Sequence, residues 1–238
     1  MKISLVIPMY NESAILKDTL GTVSSFFAEH FASEEYEILF VDDGSTDSSR
    51  HIVEDFALAH VRALGYEKNR GKGYAVRFGI ERAKGDFIIY TDCDLALGLS
   101  PVLEAMRVLL EGGADIVIGS RNKSKNGYAD YSPLRVLASK VYIRLLRTLT
   151  GLWQSDYQCG FKAFRGEAAK SVFSLCQTDG FAFDIEALLI ADKRKYKISE
   201  IPVCVTGSRP SKVNVVRDSL KMIRDVQKIK KRIKNTDR

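Results

Sequence analysis

The sequence lacks any long hydrophobic run, and no stretch approaches the roughly 18 consecutive apolar residues that a membrane-spanning helix needs. The apolar start at residues 3–7 is too short for a signal peptide. Cysteine is also scarce: four residues are widely spaced and form no Cys-x-x-Cys pair, which gives no support to a zinc site or a redox motif. We therefore expect a cytoplasmic protein with reduced, mostly buried thiols.

Acidic residues are few at the C-terminal end of the chain. The 238 residues carry a net charge of +6, but residues 209–238 contain eleven Lys or Arg and only three Asp. The remaining 208 residues therefore carry a net charge of −2. Residues 214–235 also show an apolar stripe at helical spacing, which suits packing on a sheet or contact with anionic lipid. Nucleic acid is disfavoured as a partner, because aromatic residues that stack on bases are not interleaved with the cations.

Over the first 120 residues, apolar β-branched runs alternate with stretches of helical period. This pattern predicts repeated βα units and an α/β fold with a Rossmann-like, doubly wound, mostly parallel sheet. The predicted strands are 3–8, 36–41, 61–67, 87–92 and 115–119, and the predicted helices begin near Ser13, Thr46, Gly73 and Ser100. We place one domain at residues 1–213 and a basic amphipathic helix, facing a membrane, at residues 214–238.

A second amphipathic pattern runs from residue 133 to residue 153. Apolar side chains recur there at helical spacing, and cations line a neighbouring face. The apolar residues are Leu137, Val141, Leu145, Leu149 and Leu152, and the cations are Lys140, Arg144 and Arg147. The combination suits a membrane surface. Periodicity alone favours a core helix with a solvated basic edge.

Polar side chains follow nearly every predicted strand, and ligands of such sheets bind beyond the carboxyl ends of the strands. Asp92 and Asp94 follow a buried strand and point to the same side of an extended backbone. Two carboxylates placed so are costly unless a cation neutralises them. Their oxygens suit Mg²⁺ or Mn²⁺, which also takes phosphate oxygens, so we predict a metal and a nucleoside diphosphate here. Asp42 and Asp43 are explained equally well as helix caps.

The turn at residues 68–73 is rich in glycine and cations, which suits close approach to phosphate or ribose. Its spacing is neither that of a P-loop nor that of a dinucleotide-binding Gly-x-Gly-x-x-Gly motif. A kinase and a dehydrogenase are therefore disfavoured.

Six motifs together resemble the family 2 inverting glycosyltransferases, and within them the polyprenyl-phosphate hexose synthases such as the dolichyl-phosphate mannose and glucose synthases. They follow the family's order along almost the whole chain, as Pro8-Met9-Tyr10-Asn11-Glu12, Val41-Asp42-Asp43-Gly44-Ser45-Thr46-Asp47, Asn69-Arg70-Gly71-Lys72-Gly73, Asp92-Cys93-Asp94-Leu95, Gly119-Ser120-Arg121 and Gln158-Cys159-Gly160-Phe161-Lys162. The resemblance implies a GT-A type of fold with C-terminal amphipathic helices.

The resemblance also implies a role for each matching residue. Asp92 and Asp94 would bind Mg²⁺ or Mn²⁺ and, with Arg121 and Asp156, form the catalytic group. The residues implied in substrate binding are Pro8, Tyr10, Glu12, Val41, Asp42, Asp43, Lys72, Cys93, Gln158, Arg209 and Lys212. Relatives of the mannose type often carry Gln or Ser where this chain has Ala96, which cannot bind metal. The donor therefore stays open between UDP-glucose and GDP-mannose.

The expected reaction is inverting transfer of a hexose from a nucleoside-diphosphate sugar to a polyprenyl phosphate at the cytoplasmic face of the membrane. The two basic helices would dock the chain peripherally, and an integral membrane protein is a plausible partner. A lipid phosphate is already an anion at neutral pH, so no strong general base is required.

The alternative is a family 2 enzyme that extends a cell-surface glycan on a hydroxyl group. That reaction needs a proton acceptor, for which Asp156 or Asp184 is the candidate. A phosphate acceptor predicts that Asp156→Asn retains activity, and a hydroxyl acceptor predicts its near-total loss.

Overall fold

A seven-stranded sheet flanked by helices organises the computed structural model, which describes residues 1–128, 133–206 and 215–235. Arg209 and Lys212, both implied in substrate binding, lie outside the described residues. The strands are β1 (Ile3–Met9), β2 (Tyr36–Asp43), β3 (Val61–Tyr66), β4 (Phe87–Thr91), β5 (Ile116–Ser120), β6 (Phe161–Arg165) and β7 (Ile198–Pro202). The helices are α1 (Ser13–His30), α2 (Ser49–Asp55), α3 (Lys72–Arg82), α4 (Ser100–Leu110), α5 (Pro133–Thr150), α6 (Gly166–Phe173), α7 (Phe183–Lys193) and α8 (Val215–Asn235).

The strand order is β3-β2-β1-β4-β6-β5-β7. All neighbouring strands pair in parallel except β6, which runs antiparallel to both β4 and β5. The predicted doubly wound, mostly parallel sheet is confirmed, and the five predicted strands and four helix starts lie within three residues of the observed ones. The carboxyl ends of β1, β2, β4 and β5 therefore share one edge of the sheet.

Helices cover both faces of the sheet, because successive side chains of a strand point to opposite sides. In β1, Leu5 and Ile7 pack with α1, α2 and α4 on one face, whereas Val6 packs with α3, α6 and α7 on the other. Two buried hydrophobic clusters result, one on each face of the sheet. Burial of these side chains fixes the register of the strands and hence the positions of the polar loops that follow them.

The helix α5 turns a different face towards the second hydrophobic cluster than the sequence predicts. Leu146 is fully buried, whereas Val141 and Leu145 are 61% and 40% exposed. The prediction that the apolar stripe enters the core is thus wrong for Val141 and Leu145. The helix is rotated so that Ile143 and Leu146 contact the second cluster instead. The outer face of α5 consequently combines apolar side chains with Lys140 and Arg144.

The C-terminal helix α8 packs against the rest of the chain. Val226 and Ile229, both on the predicted apolar stripe, are buried, and Val226 belongs to the same cluster as Leu146 of α5. Lys193 Nζ donates to the Ile233 carbonyl at 2.8 Å, and Lys230 donates to the Leu149 carbonyl. The division of the chain between residues 213 and 214 stays a prediction, but the described stripe of α8 contacts protein.

The cysteine prediction is confirmed: all four thiols are free, and Cys93, Cys159 and Cys176 are buried. Among the helices within the described ranges, none combines the length and the apolar composition needed to span a bilayer.

Candidate functional site

Predicted site residues from four strands meet at the carboxyl edge of the sheet. Pro8 is paired with Val41 across β1 and β2, and Asp42 lies opposite Gly65 of β3. Asp92 directly follows β4, and Arg121 directly follows β5. The sheet register therefore brings together the motifs that the sequence separates by up to about 110 residues.

Two of the residues implied in substrate binding, Val41 and Cys93, can contact a ligand only through their backbone. The Val41 side chain is fully buried in the second hydrophobic cluster. The Cys93 side chain is buried in the first cluster, and burial raises the pKa of its thiol to about 12. Cys93 is therefore a neutral thiol inside the core, and its carbonyl is already bonded by the Thr19 hydroxyl at 2.9 Å.

The loops after β1 and β2 are hydrogen-bonded to each other at the carboxyl edge of the sheet, and these two loops form what we call the rim of the site. Asn11 N donates to Ser45 Oγ at 3.0 Å, and Thr46 N donates to Asn11 Oδ1 at 2.8 Å. Asp42 Oδ1 accepts the Ser45 N–H at 3.1 Å and so stabilises the turn after β2. The next helix begins only at Ser49, so Asp42 is not the helix cap that its sequence position allowed. Tyr10 remains 42% exposed at this rim, where a flat nucleobase would find an aromatic surface.

The carboxylate of Asp43 holds the turn that follows β3. It accepts hydrogen bonds from the Tyr66 hydroxyl (2.7 Å), the Asn69 side-chain amide (2.9 Å) and the backbone N–H groups of Arg70 (2.8 Å) and Gly71 (2.9 Å). These bonds occupy both oxygens of a buried side chain. Asp43 thus positions the Asn69–Gly71 turn, and its direct contact with a nucleotide stays a prediction.

Asp92 forms an ion pair with Lys72, the first residue of α3. Burial disfavours the charged form of Lys72, but the carboxylates of Asp92 and Asp184 outweigh burial and raise the pKa of the ammonium above its usual value. The Asp92 carboxylate lies directly against Gly160: a Cβ added there would overlap Asp92 Oδ2 and come 2.7 Å from its Cγ. The absence of a side chain at residue 160 therefore leaves room for this carboxylate.

The acidic pair fits a divalent cation that is shared with a diphosphate. Within the described ranges, no group of three or more His, Cys, Asp or Glu side chains is placed to hold a metal alone. Asp92 nevertheless attracts a cationic group, the Lys72 ammonium, and Asp94 lies exposed two residues further along. Two hard carboxylates at an exposed edge match a Mg²⁺ or Mn²⁺ ion whose other ligands are phosphate oxygens and water.

Asp156 lies next to Arg121 and is only 1% exposed. Arg121 Nε donates to Asp156 Oδ2 at 2.7 Å and Nη2 donates to Oδ1 at 2.9 Å, while the Arg121 backbone N–H reaches Oδ2 at 3.2 Å. Bidentate pairing of this kind fixes the plane of the guanidinium. A buried carboxylate that is paired so is poorly suited to take a proton from a substrate.

The second candidate base, Asp184, is also engaged. Its Oδ1 accepts from Lys162 Nζ at 2.5 Å and from the Tyr90 hydroxyl at 2.5 Å, and both partners are fully buried. Burial, followed by the Asp184 charge, raises the pKa of Tyr90 well above its ordinary value. The sequence did not single out Tyr90, and it included Lys162 in a motif without indicating its role. A lysine between the apolar residues Phe161 and Ala163 of a strand was the available signal, since a buried lysine needs a carboxylate partner.

Gln158 links the site to the C-terminal helix. Its Nε2 donates to the Phe181 carbonyl at 3.2 Å and contacts Met222 Sδ of α8 at 2.6 Å. The predicted substrate-binding residue thus lies where the loop after α6, the Gln158–Lys162 motif and α8 converge.

A mostly parallel sheet with acidic and cationic side chains at the carboxyl ends of its strands suits the binding of a nucleotide. The chain belongs to glycosyltransferase family 2, because residues 4–173 match the family model described as "Glycosyl transferase family 2". This finding confirms the resemblance seen in the sequence.

Several named relatives match nearly the whole chain. The dolichyl-phosphate beta-glucosyltransferase of Dictyostelium discoideum is 31% identical over 240 residues, which cover 96% of this chain and 73% of the relative. The enzyme of the same name from Saccharomyces cerevisiae is 32% identical over 243 residues, with 94% and 72% covered. Among solved structures, glucosyl-3-phosphoglycerate synthase from Mycobacterium tuberculosis in complex with UDP superposes with a TM-score of 0.70 at 20% identity, covering 96% of this chain and 79% of the other. This likeness confirms the GT-A type of fold.

Proposed function

We propose that the protein transfers glucose from a nucleoside-diphosphate sugar to a polyprenyl phosphate. The observation that carries the proposal is the state of the two candidate bases: Asp156 and Asp184 are both buried and ion-paired. A hydroxyl acceptor would need one of them to take a proton. A phosphate acceptor needs neither, because its oxygen is already an anion at neutral pH. The names of the relatives, dolichyl-phosphate beta-glucosyltransferases, agree with this acceptor and favour glucose over mannose.

The chemistry is a single displacement at the anomeric carbon. A phosphate oxygen of the lipid forms a bond to that carbon while the bond to the nucleoside diphosphate breaks, and the diphosphate leaves with the electron pair. Sugar nucleotides carry glucose in α linkage, and a β product, as in the names of the relatives, requires attack from the opposite face and hence inversion. Arg121, oriented by Asp156, supplies a fixed cation for phosphate oxygens.

A divalent metal belongs to this proposal, held by Asp92 and Asp94 together with the diphosphate. Bound Mg²⁺ or Mn²⁺ would neutralise charge that develops on the leaving diphosphate. Lys72 contributes a second cation beside Asp92 and limits the repulsion between this carboxylate and an incoming diphosphate. Tyr10, Glu12 and Asp42 line the rim at which the base and ribose would bind.

We also propose that the protein binds peripherally to the cytoplasmic face of a membrane, through the outer face of α5. Val141, Leu145 and the nearby Trp153 are 61%, 40% and 54% exposed. The cations Lys140 and Arg144 lie on the same helix and are exposed. Apolar and basic side chains displayed together match the interface of an anionic bilayer, where the lipid phosphate acceptor resides.

Leu145→Glu is expected to weaken binding to vesicles that contain anionic lipid by about tenfold or more, because it replaces an exposed leucine that would insert into the lipid by a charge that the lipid repels. Co-sedimentation with vesicles measures the effect. Leu110→Glu is the matched control, since Leu110 is also exposed but lies on α4, on the opposite face of the sheet. Equal losses in both variants would contradict docking through α5.

The experiment that tests the transferase proposal uses radiolabelled UDP-glucose and GDP-mannose with polyprenyl phosphate in detergent, with Mg²⁺ or Mn²⁺. We expect metal-dependent label in the organic phase from UDP-glucose, and its loss in Asp94→Ala. Label from GDP-mannose alone would overturn the sugar assignment. If the protein binds a sugar nucleotide but labels only a glycan hydroxyl, the acceptor assignment fails.

A further inference from the structure

An ion pair connects the C-terminal helix α8 to the donor side of the site. Arg232, near the end of α8, pairs with Glu186 of α7 and donates to the Thr178 hydroxyl at 3.2 Å. Glu186 is fully buried. A buried carboxylate needs a compensating cation, and Arg232 supplies it.

Glu186 in turn shapes the loop between α6 and α7. Its Oε2 accepts the backbone N–H groups of Gln177 at 3.1 Å and Thr178 at 2.7 Å. These bonds fix the backbone that leads into Asp179. The Glu186 side chain thus connects the last turn of α8 to this loop.

The loop is bound directly to the first turn of α3. The Asp179 carbonyl accepts the N–H groups of Gly73 at 2.8 Å and Tyr74 at 3.3 Å, and the Asp179 carboxylate accepts from Arg77 at 2.6 Å. Gly71 has φ of +104°, and a Cβ there would come 2.6 Å from the Asp179 carbonyl oxygen. The loop therefore packs against the backbone on either side of Lys72.

Lys72 is the residue that contacts Asp92. Its backbone is held on one side by Asp43, through the Gly71 N–H, and on the other by Asp179, through the Gly73 N–H. We propose that Arg232 and Glu186 are positioning residues for Lys72, so that the C-terminal helix is required for tight binding of the donor diphosphate. This inference rests on the proposed use of a nucleoside-diphosphate donor.

The test is Arg232→Gln, with Lys231→Gln as a matched control on an exposed neighbouring position of α8. We expect Arg232→Gln to raise the Kd for UDP, measured calorimetrically with Mn²⁺, by about tenfold, a coupling within the usual range between linked sites. Amide hydrogen exchange should accelerate at Gln177 and Thr178 and also at Gly73 and Tyr74. Arg232→Lys should recover much of the affinity, and Lys231→Gln should match the wild type.

A double variant removes both charges of the ion pair. In Arg232→Gln/Glu186→Gln no buried charge is left without a partner, so the double variant should bind UDP more tightly than Arg232→Gln alone. If the Arg232→Gln variant binds UDP as the wild type does, or if exchange accelerates only at Gln177 and Thr178, the proposal is overturned while the transferase proposal stands. If the wild-type protein binds no nucleoside diphosphate, the proposed function itself fails, and the positioning role toward a donor fails with it.

Discussion

Gly160→Ala is expected to lower glucose transfer by about a hundredfold or more, the usual consequence of displacing a reacting group by about 1 Å. An alanine Cβ would overlap the Asp92 carboxylate, which must then rotate away from Lys72 and from the metal site proposed for Asp92 and Asp94. The clash is with the end of a flexible side chain, so the fold should survive. Steady-state transfer into the lipid phase measures the loss.

Two controls separate this effect from general damage. Gly21→Ala, in the middle of α1, adds the same methyl group where nothing lies within 4 Å, and it should retain full activity. The urea midpoint of Gly160→Ala should stay near that of the wild type. A Gly160→Ala enzyme with wild-type activity would show that the position of the Asp92 carboxylate beside Gly160 does not matter for the reaction.

Asp156→Asn is expected to reduce kcat/KM by about a hundredfold and to lower the free energy of unfolding by about 3–5 kcal/mol, because it leaves Arg121 without its bidentate partner. This reverses the expectation drawn from sequence, where a phosphate acceptor predicted retained activity. The reason is the observed geometry: Asp156 is buried and both of its oxygens accept from Arg121. Loss of activity in this variant therefore does not by itself identify a general base.

A comparison with Arg121→Gln distinguishes positioning from proton transfer. If Asp156 acts through Arg121, the two single variants and the double variant should lose similar activity, because the residues work as one unit. Their pH–rate profiles should keep the shape of the wild type. A low-pH limb that disappears only in Asp156→Asn, with losses that multiply in the double variant, would assign Asp156 as the base and favour a hydroxyl acceptor.

The first half of the fold follows from sequence because its signals are local. Alternating apolar runs and helical stretches locate β1 to β5, and parallel pairing then places the residues that follow each strand at one edge. Strand β6 is different: it lies between β4 and β5 although it follows both in the chain, and nothing local in the five residues Phe161–Arg165 indicates that insertion.

Side-chain roles were harder to predict than positions. Val141 and Leu145 share a helical stripe with buried neighbours, but the rotation of α5 is set by its packing against the second hydrophobic cluster, which periodicity does not encode. Asp43 occupies the expected motif position, yet its hydrogen bonds go to a turn more than twenty residues away. Contacts of this range depend on the assembled sheet.

The central claim is that the acceptor nucleophile is a lipid phosphate. Its most direct test offers the enzyme UDP-glucose with equal amounts of a polyprenyl phosphate and of the same polyprenol without phosphate, across pH 5.5 to about 9, a range in which phosphate monoesters remain anionic. We predict label only in the phosphate-bearing lipid. The transfer rate should not fall at low pH in the way that protonation of a general base would cause. Transfer to the free polyprenol, or to a glycan hydroxyl in preference to the lipid phosphate, would contradict the account.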